Sequence, residues 1–194
     1  MSRAVYGLVL AGGESRRMGR DKALLDRGGR SQLAHMVDLL GQFVDRVFVS
    51  ARPEQADDAE RSQYELIIDR YRDLGPVAGI LTALREHPEV DWLVVACDLP
   101  NIDAETVQNL LAHRDGGQYF TAYESSYDAL PEPLCAIYHY GCADIIQAFV
   151  DSGIHCPRKI LIRSDTHLLQ QVNPLSLDNI NTPEDLEKSV LQKC

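Results

Sequence analysis

Short apolar, β-branched runs alternate along the chain with stretches in which apolar residues recur every three or four positions. "VYGLVL" (5–10), "RVFVSA" (46–51), "YELIID" (64–69) and "DWLVVACD" (91–98) read as buried strands. Between and after them, "SQLAHMVDLLGQF" (31–43), "GILTALREH" (79–87) and "DAETVQNLLAHR" (103–114) carry helical spacing, the last with Asp103 placed as an N-cap. Strand and helix at this rhythm predict right-handed βαβ units, hence a parallel sheet covered on both faces. Further on the pattern loosens. "QYFTAY" (118–123), "LCAIYH" (134–139) and "HLLQQV" (167–172) read as strands, "GCADIIQAFVDSG" (141–153) as a helix. Thr182, Pro183 and the acids after them open a last helix over 182–192. Consecutive strands without a helix between them predict a mixed sheet. The fold class is therefore α/β, three-layered, with a mostly parallel, mixed central sheet, and 1–194 is read as one domain.

Composition narrows the partners. The 194 residues carry a formal charge of −10, which disfavours non-specific attraction to nucleic acid or an anionic membrane. No apolar run reaches the length of a membrane-spanning helix. The five cysteines include no CxxC pair and are odd in number, which predicts reduced thiols and a cytoplasmic protein. Cys135, His139 and Cys142 have a metal-like spacing, C-x3-H-x2-C. That triplet lacks a fourth ligand, and strand alternation puts Cys135 and His139 on one face as packing residues.

Against this acidic background one stretch is cationic. In "LAGGESRRMGRDK" (10–22), the residues from Glu14 to Lys22 include four basic side chains (Arg16, Arg17, Arg20, Lys22) and two acids, a local +2. Gly12 and Gly13 allow the backbone to approach a ligand and turn N–H groups toward an anion. The loop is neither a Walker A sequence, since no G-K-[ST] follows, nor G-x-G-x-x-G. It is one of four polar clusters at predicted strand ends, where ligands of open α/β sheets bind. Ser50, Ala51 and Arg52 follow the second strand. Asp69 ends the third, shortly before "GPVAG" (75–79), and Asp98 ends the fourth in "ACDLP". A carboxylate at the end of an apolar strand is costly unless paired or metal-bound, which makes Asp98 a candidate Mg²⁺ ligand alongside its plainer reading as a helix cap.

"LAGGESRRMGRDK", "GPVAG", "CDLP" and "NINTPEDL" together resemble the molybdenum cofactor guanylyltransferases, the molybdopterin-guanine dinucleotide biosynthesis protein A family of the Rossmann-like nucleotidyltransferase superfamily. The resemblance runs from Leu10 to Leu186. It implies transfer of GMP from Mg-GTP to the terminal phosphate of the molybdopterin-type cofactor, with release of pyrophosphate. By position it implies nucleotide contacts at Leu10, Gly12, Gly13, Lys22, Ser50, Asp69 and Asp98. Arg17, Lys22 and Asp98 fall to catalysis, Asp98 to the metal. Asn179 and Asn181 fall to the acceptor or a second metal contact, with a turn and helix-start role as the alternative. It implies GTP and the molybdopterin cofactor as partners, with brief contacts to other cofactor-assembly proteins.

The pattern departs from the family in places. Ser50-Ala51-Arg52-Pro53 stands where Asn-Ala-Asn-Arg is common, and Glu132 stands where many relatives have His. "PRKIL" (157–161) adds Arg158 and Lys159 near the acceptor half. Two other readings accompany the guanylyltransferase: a transferase of the same fold with another base or acceptor, such as cytidylyl transfer or a sugar phosphate, and a GTP-binding partner without turnover.

Overall fold

The computed structural model describes residues 3–13, 21–114 and 117–179. The predicted helix over 182–192 lies outside them, as do Arg17 and Asn181. Seven strands form one sheet in the order β3-β2-β1-β4-β6-β5-β7. They are β1 (Val5–Leu10), β2 (Arg46–Ala51), β3 (Glu65–Ile68), β4 (Asp91–Ala96), β5 (Phe120–Glu124), β6 (Pro131–Tyr138) and β7 (Thr166–Leu169). Every pairing is parallel except those of β6, which runs against both β4 and β5. The mixed sheet expected from the sequence is present.

Among the described residues five helices cover the sheet: α1 (Gln32–Leu40), α2 (Pro76–Glu86), α3 (Ala104–Ala112), α4 (Ala143–Asp151) and α5 (Pro157–Ile162). Alternation along the strands divides the core in two. Leu8, Phe48, Trp92 and Val94 face α2, α4 and α5, while Val9, Val49, Leu93 and Val95 face α1 and α3. β4 is buried along its whole length, as befits a strand covered on both sides. Gly7 lets α1 lie close on β1, because a Cβ there would sit 3.3 Å from Leu40 and Val44.

Caps fix the helix starts. Ser31 accepts from the Ala34 N–H at 3.0 Å, and Asp103 accepts from the Thr106 N–H at 2.8 Å as its sequence position predicts. α2 begins three residues before the apolar spacing becomes legible. Pro76 stands in its first turn and Gly75 before it takes φ +55°, so "GPVAG" is a helix entry and not only a loop. α5 was not predicted, being too short to show a period. Cys135 and Cys142 belong to cores on opposite faces of the sheet, so the metal-like spacing around His139 does not converge.

Candidate nucleotide site

Four strand ends meet at the switch point between β1 and β4, where the strand order turns from one side to the other. The Ala11 N–H donates to the Ser50 carbonyl and the Cys97 N–H to the Leu10 carbonyl, each at 3.2 Å. The Asp69 N–H donates to the Ala51 carbonyl at 2.9 Å. These bonds carry the ladder just beyond the strands and fix where the next side chains project. Together they frame a cavity of about 960 Å³. Leu10, Gly12, Gly13, Lys22, Ser50, Asp69 and Asp98 all line it. Asn179 does not. It lines a second cavity of about 230 Å³ with Glu132 and Arg158, while Pro76 and Leu134 border both.

At one end of the larger cavity, Lys22 Nζ stands 3.6 Å from Asp98 Oδ2. Lys22 opens a 3-10 turn, Lys22–Leu24, whose cap is Asp21, accepting from the Ala23 N–H at 3.0 Å. Burial pushes the Asp98 carboxyl above the usual carboxylate range, and Lys22 opposes the shift. The other oxygen, Oδ1, is buried without a hydrogen-bond partner. A carboxylate oxygen left in this state suits a hard cation. Among the described residues no three His, Cys, Asp or Glu side chains gather as a ready-made metal cage. A lone carboxylate such as Asp98 could hold Mg²⁺ only with phosphates and water completing the shell.

At the other end, Ser50 Oγ donates to Asp69 Oδ1 at 2.9 Å. Gly79 of α2 accommodates this pair. A Cβ at position 79 would lie 2.2 Å from Ser50 Oγ and 3.1 Å from Asp69 Oδ1. This glycine therefore clears room for two protein side chains and not directly for a ligand. Burial raises the Asp69 pKa to about 6, with the Ser50 hydrogen bond and the Arg52 charge pulling the other way. A Cβ at Gly12 would meet Asp69 and Arg52 at ordinary contact distance, and one at Gly13 would meet nothing within 4 Å among the described residues.

Two polar residues escaped the sequence reading. Arg61, only 1% exposed, donates to the Ala11 carbonyl and to the Asp21 carboxylate, each at 2.7 Å through Nη2. Gln32, fully buried, reaches the Cys97 carbonyl at 3.4 Å. Arg61 sits in the polar stretch "DDAERSQ", where a charge reads as solvated, and no periodicity marks it. Arg158, which the sequence offers with Lys159 as a contact for the acceptor's phosphate, pairs with Glu132 at 2.9 Å and with Asp128 at 3.1 Å, on the wall of the smaller cavity.

An anion-accepting glycine backbone, a lysine, a carboxylate poised for a cation and a polar pair at the far end are spaced along a cavity of ligand size. This is the layout of a nucleotide-binding α/β protein of the Rossmann-like nucleotidyltransferase class. Residues 7–168 match the family described as the MobA-like NTP transferase domain. A molybdenum cofactor guanylyltransferase of Shewanella frigidimarina is 32% identical over 198 residues, spanning 99% of this chain and 98% of its own. A molybdenum cofactor biosynthesis bifunctional protein of Synechocystis is 40% identical over 181 residues. That match takes 93% of this chain and 52% of the relative, so the chain spans about half of that relative's length. Among solved structures, molybdopterin-guanine dinucleotide biosynthesis protein A from Archaeoglobus fulgidus has a TM-score of 0.80 at 27% identity, covering 97% and 98% of the two chains. The chain belongs to the MobA-like NTP transferase family, with the molybdenum cofactor guanylyltransferases among its full-length relatives.

Proposed function

We propose that this chain transfers GMP from GTP to the terminal phosphate of the molybdopterin-type cofactor. The observation that carries the reading is the Lys22–Asp98 pair beside the Gly12–Gly13 backbone, with Asp98 Oδ1 buried and unpartnered. The Gly12 and Gly13 backbone and Lys22 receive the triphosphate, and the base and ribose extend toward Ser50 and Asp69. Asp98 would hold Mg²⁺, which when bound would neutralise phosphate charge. Arg17, in the same cationic loop, adds to that neutralisation.

The chemistry needs no protein nucleophile. An oxygen of the acceptor phosphate attacks the α-phosphorus in line, a new P–O bond forms, and the bond to the bridging oxygen of the β-phosphate breaks. Pyrophosphate leaves with the charge that Lys22 is placed to stabilise. The chain's part is mostly positioning, holding donor and acceptor at bonding distance in one cavity. The acceptor enters from the smaller cavity, where Asn179, Glu132 and Arg158 lie and which shares Pro76 and Leu134 with the larger one. Asn181, two residues further along the sequence, is assigned to the acceptor as well.

Calorimetry of GTP, CTP and ATP with Mg²⁺, joined to pyrophosphate release in the presence of the cofactor, tests the reading. GTP is expected to bind best, and Asp98→Ala to lower turnover by about 10²–10³-fold. Preference for CTP would move the chain to a cytidylyl-transferring sibling. Binding without pyrophosphate release would make it a GTP-binding partner.

A further inference from the structure

Ala11, just after β1, and Asp21 flank the cationic stretch of the sequence, and one side chain outside that stretch bonds to both. Arg61 lies in a 3-10 turn, Arg61–Gln63, between β2 and β3, 50 residues from Ala11 and 40 from Asp21 in sequence. Its guanidinium donates to the Ala11 carbonyl through both Nε at 3.3 Å and Nη2 at 2.7 Å. The same Nη2 donates to Asp21 Oδ2 at 2.7 Å, and Nη1 donates to Asp58 Oδ1 at 3.3 Å. Asp58 is itself fixed by accepting from the Arg61 N–H at 3.0 Å and the Glu60 N–H at 3.2 Å.

An arginine 1% exposed is costly unless its donors are met, and here they are met by one carbonyl and two carboxylates. The planar fork is what permits this. A lysine ammonium is a point donor on a flexible stem and cannot span the same partners in one fixed geometry. Asp21 links the contact to the chemistry. One of its oxygens takes the Arg61 hydrogen bond and the other caps the turn that begins at Lys22, whose ammonium faces Asp98. The chain of contacts runs Ala11–Arg61–Asp21–Lys22–Asp98, from the floor of β1 to the metal anchor at the end of β4.

We propose that Arg61 is a positioning residue, which clamps the two ends of the phosphate-binding loop through Ala11 and Asp21 and so sets Lys22 against Asp98. The assignment rests on the guanylyl-transfer reading above. Arg61 does not reach the cavity; it acts through Asp21, and its effect falls on the step where charge develops, more than on ground-state binding.

The test compares wild type, Arg61→Lys, Asp21→Asn and the double variant at a temperature where circular dichroism shows each to be folded. Mg-GTP binding is read by calorimetry, and kcat and the KM for GTP by pyrophosphate release. Asp21 is partly exposed, and asparagine keeps a cap acceptor, so Asp21→Asn reports even should Arg61→Lys fail to fold. Expected is a fall in kcat of about tenfold or more in each single variant, a KM for GTP within about threefold of wild type, and a double variant no worse than the poorer single. Asp21→Asn with kcat within about twofold of wild type overturns the proposal, as does a loss confined to KM. Failure of the wild type to bind GTP or to release pyrophosphate overturns the functional reading instead.

Discussion

Gly79, Ser50 and Asp69 show how little space separates packing from recognition. The Ser50 hydroxyl occupies the volume a methyl group would need at position 79. Gly79→Ala must push α2 or Ser50 aside and is expected to lower unfolding free energy by about 1–3 kcal/mol, measured by urea denaturation. The same change is expected to weaken GTP binding, because it displaces the Ser50–Asp69 pair. Asp69 adds a pH signature. Its folded pKa of about 6 lies above the ordinary 3.8, so the protonated carboxyl favours the fold. That contribution is fully present below the ordinary value and is lost as pH rises through about 6. Asp69→Asn should therefore gain stability relative to wild type between acid and neutral pH. The gain is on the order of 1 kcal/mol once solvent screening of a partly exposed group is allowed for. Binding has the opposite slope. The ionised carboxylate is the better acceptor for nucleoside N–H or hydroxyl donors, so GTP affinity should rise through about pH 6 in wild type more than in Asp69→Asn.

Among the elements, β4 has a polar group at each end. Asp98 follows its carboxyl end at the site, while Asp91 begins it on the far side of the molecule. Asp91 accepts from the Tyr140 N–H at 2.9 Å and faces His139 Nδ1 at 3.6 Å and Arg114 at 3.8 Å. Burial alone would raise its pKa, but these partners outweigh it and hold the carboxyl below the usual range. The stability it supplies is present above the ordinary carboxylate pKa and is lost as pH falls through the depressed folded value. Asp91→Ala is expected to cost about 3 kcal/mol, read from the midpoint of denaturant unfolding.

β4, like β1 and β2, was readable because its apolar run is continuous and ends at a turn. The strand-end rule then led from these strands, and from β3, to Gly12, Lys22, Ser50, Asp69 and Asp98. What stayed hidden had physical reasons. The start of α2 was masked by a glycine and a proline that read as a loop. The first residues of β6 include Pro131 and Pro133, which argue against a strand, and they are tolerated because β4 pairs only with Cys135–Tyr138. Arg61 was hidden most completely, since its burial is created by tertiary contacts with Ala11 and Asp21.

On the proposed reading, the molecule as a whole separates two tasks across its sheet. β1 to β4 frame the larger cavity, and β6 with α5 walls the smaller one. A net charge of −10 surrounds both, so the cations inside are local devices and not part of a general attraction for anions. Arg158, held by Asp128 and Glu132 on the smaller side, should serve the acceptor alone. Arg158→Ala is expected to raise the KM for the molybdopterin cofactor about tenfold while calorimetric GTP affinity stays unchanged.

The seam between these halves is narrow. Within the sheet, only the ladder from Trp92–Val95 to Cys135–Tyr138 joins them. The chain crosses that seam in register with its own order: residues 5–96 build one side of the sheet and residues 120–169 the other. A breakpoint after α3 would part most of the larger cavity's lining from most of the smaller one's, with Leu134 crossing one way and Pro76 and Leu99 the other. On the proposed reading, donor and acceptor preferences can then drift separately, provided the four strand pairs of the seam, the packing of α2 on α4 and that of α3 on β5 and β6 are kept.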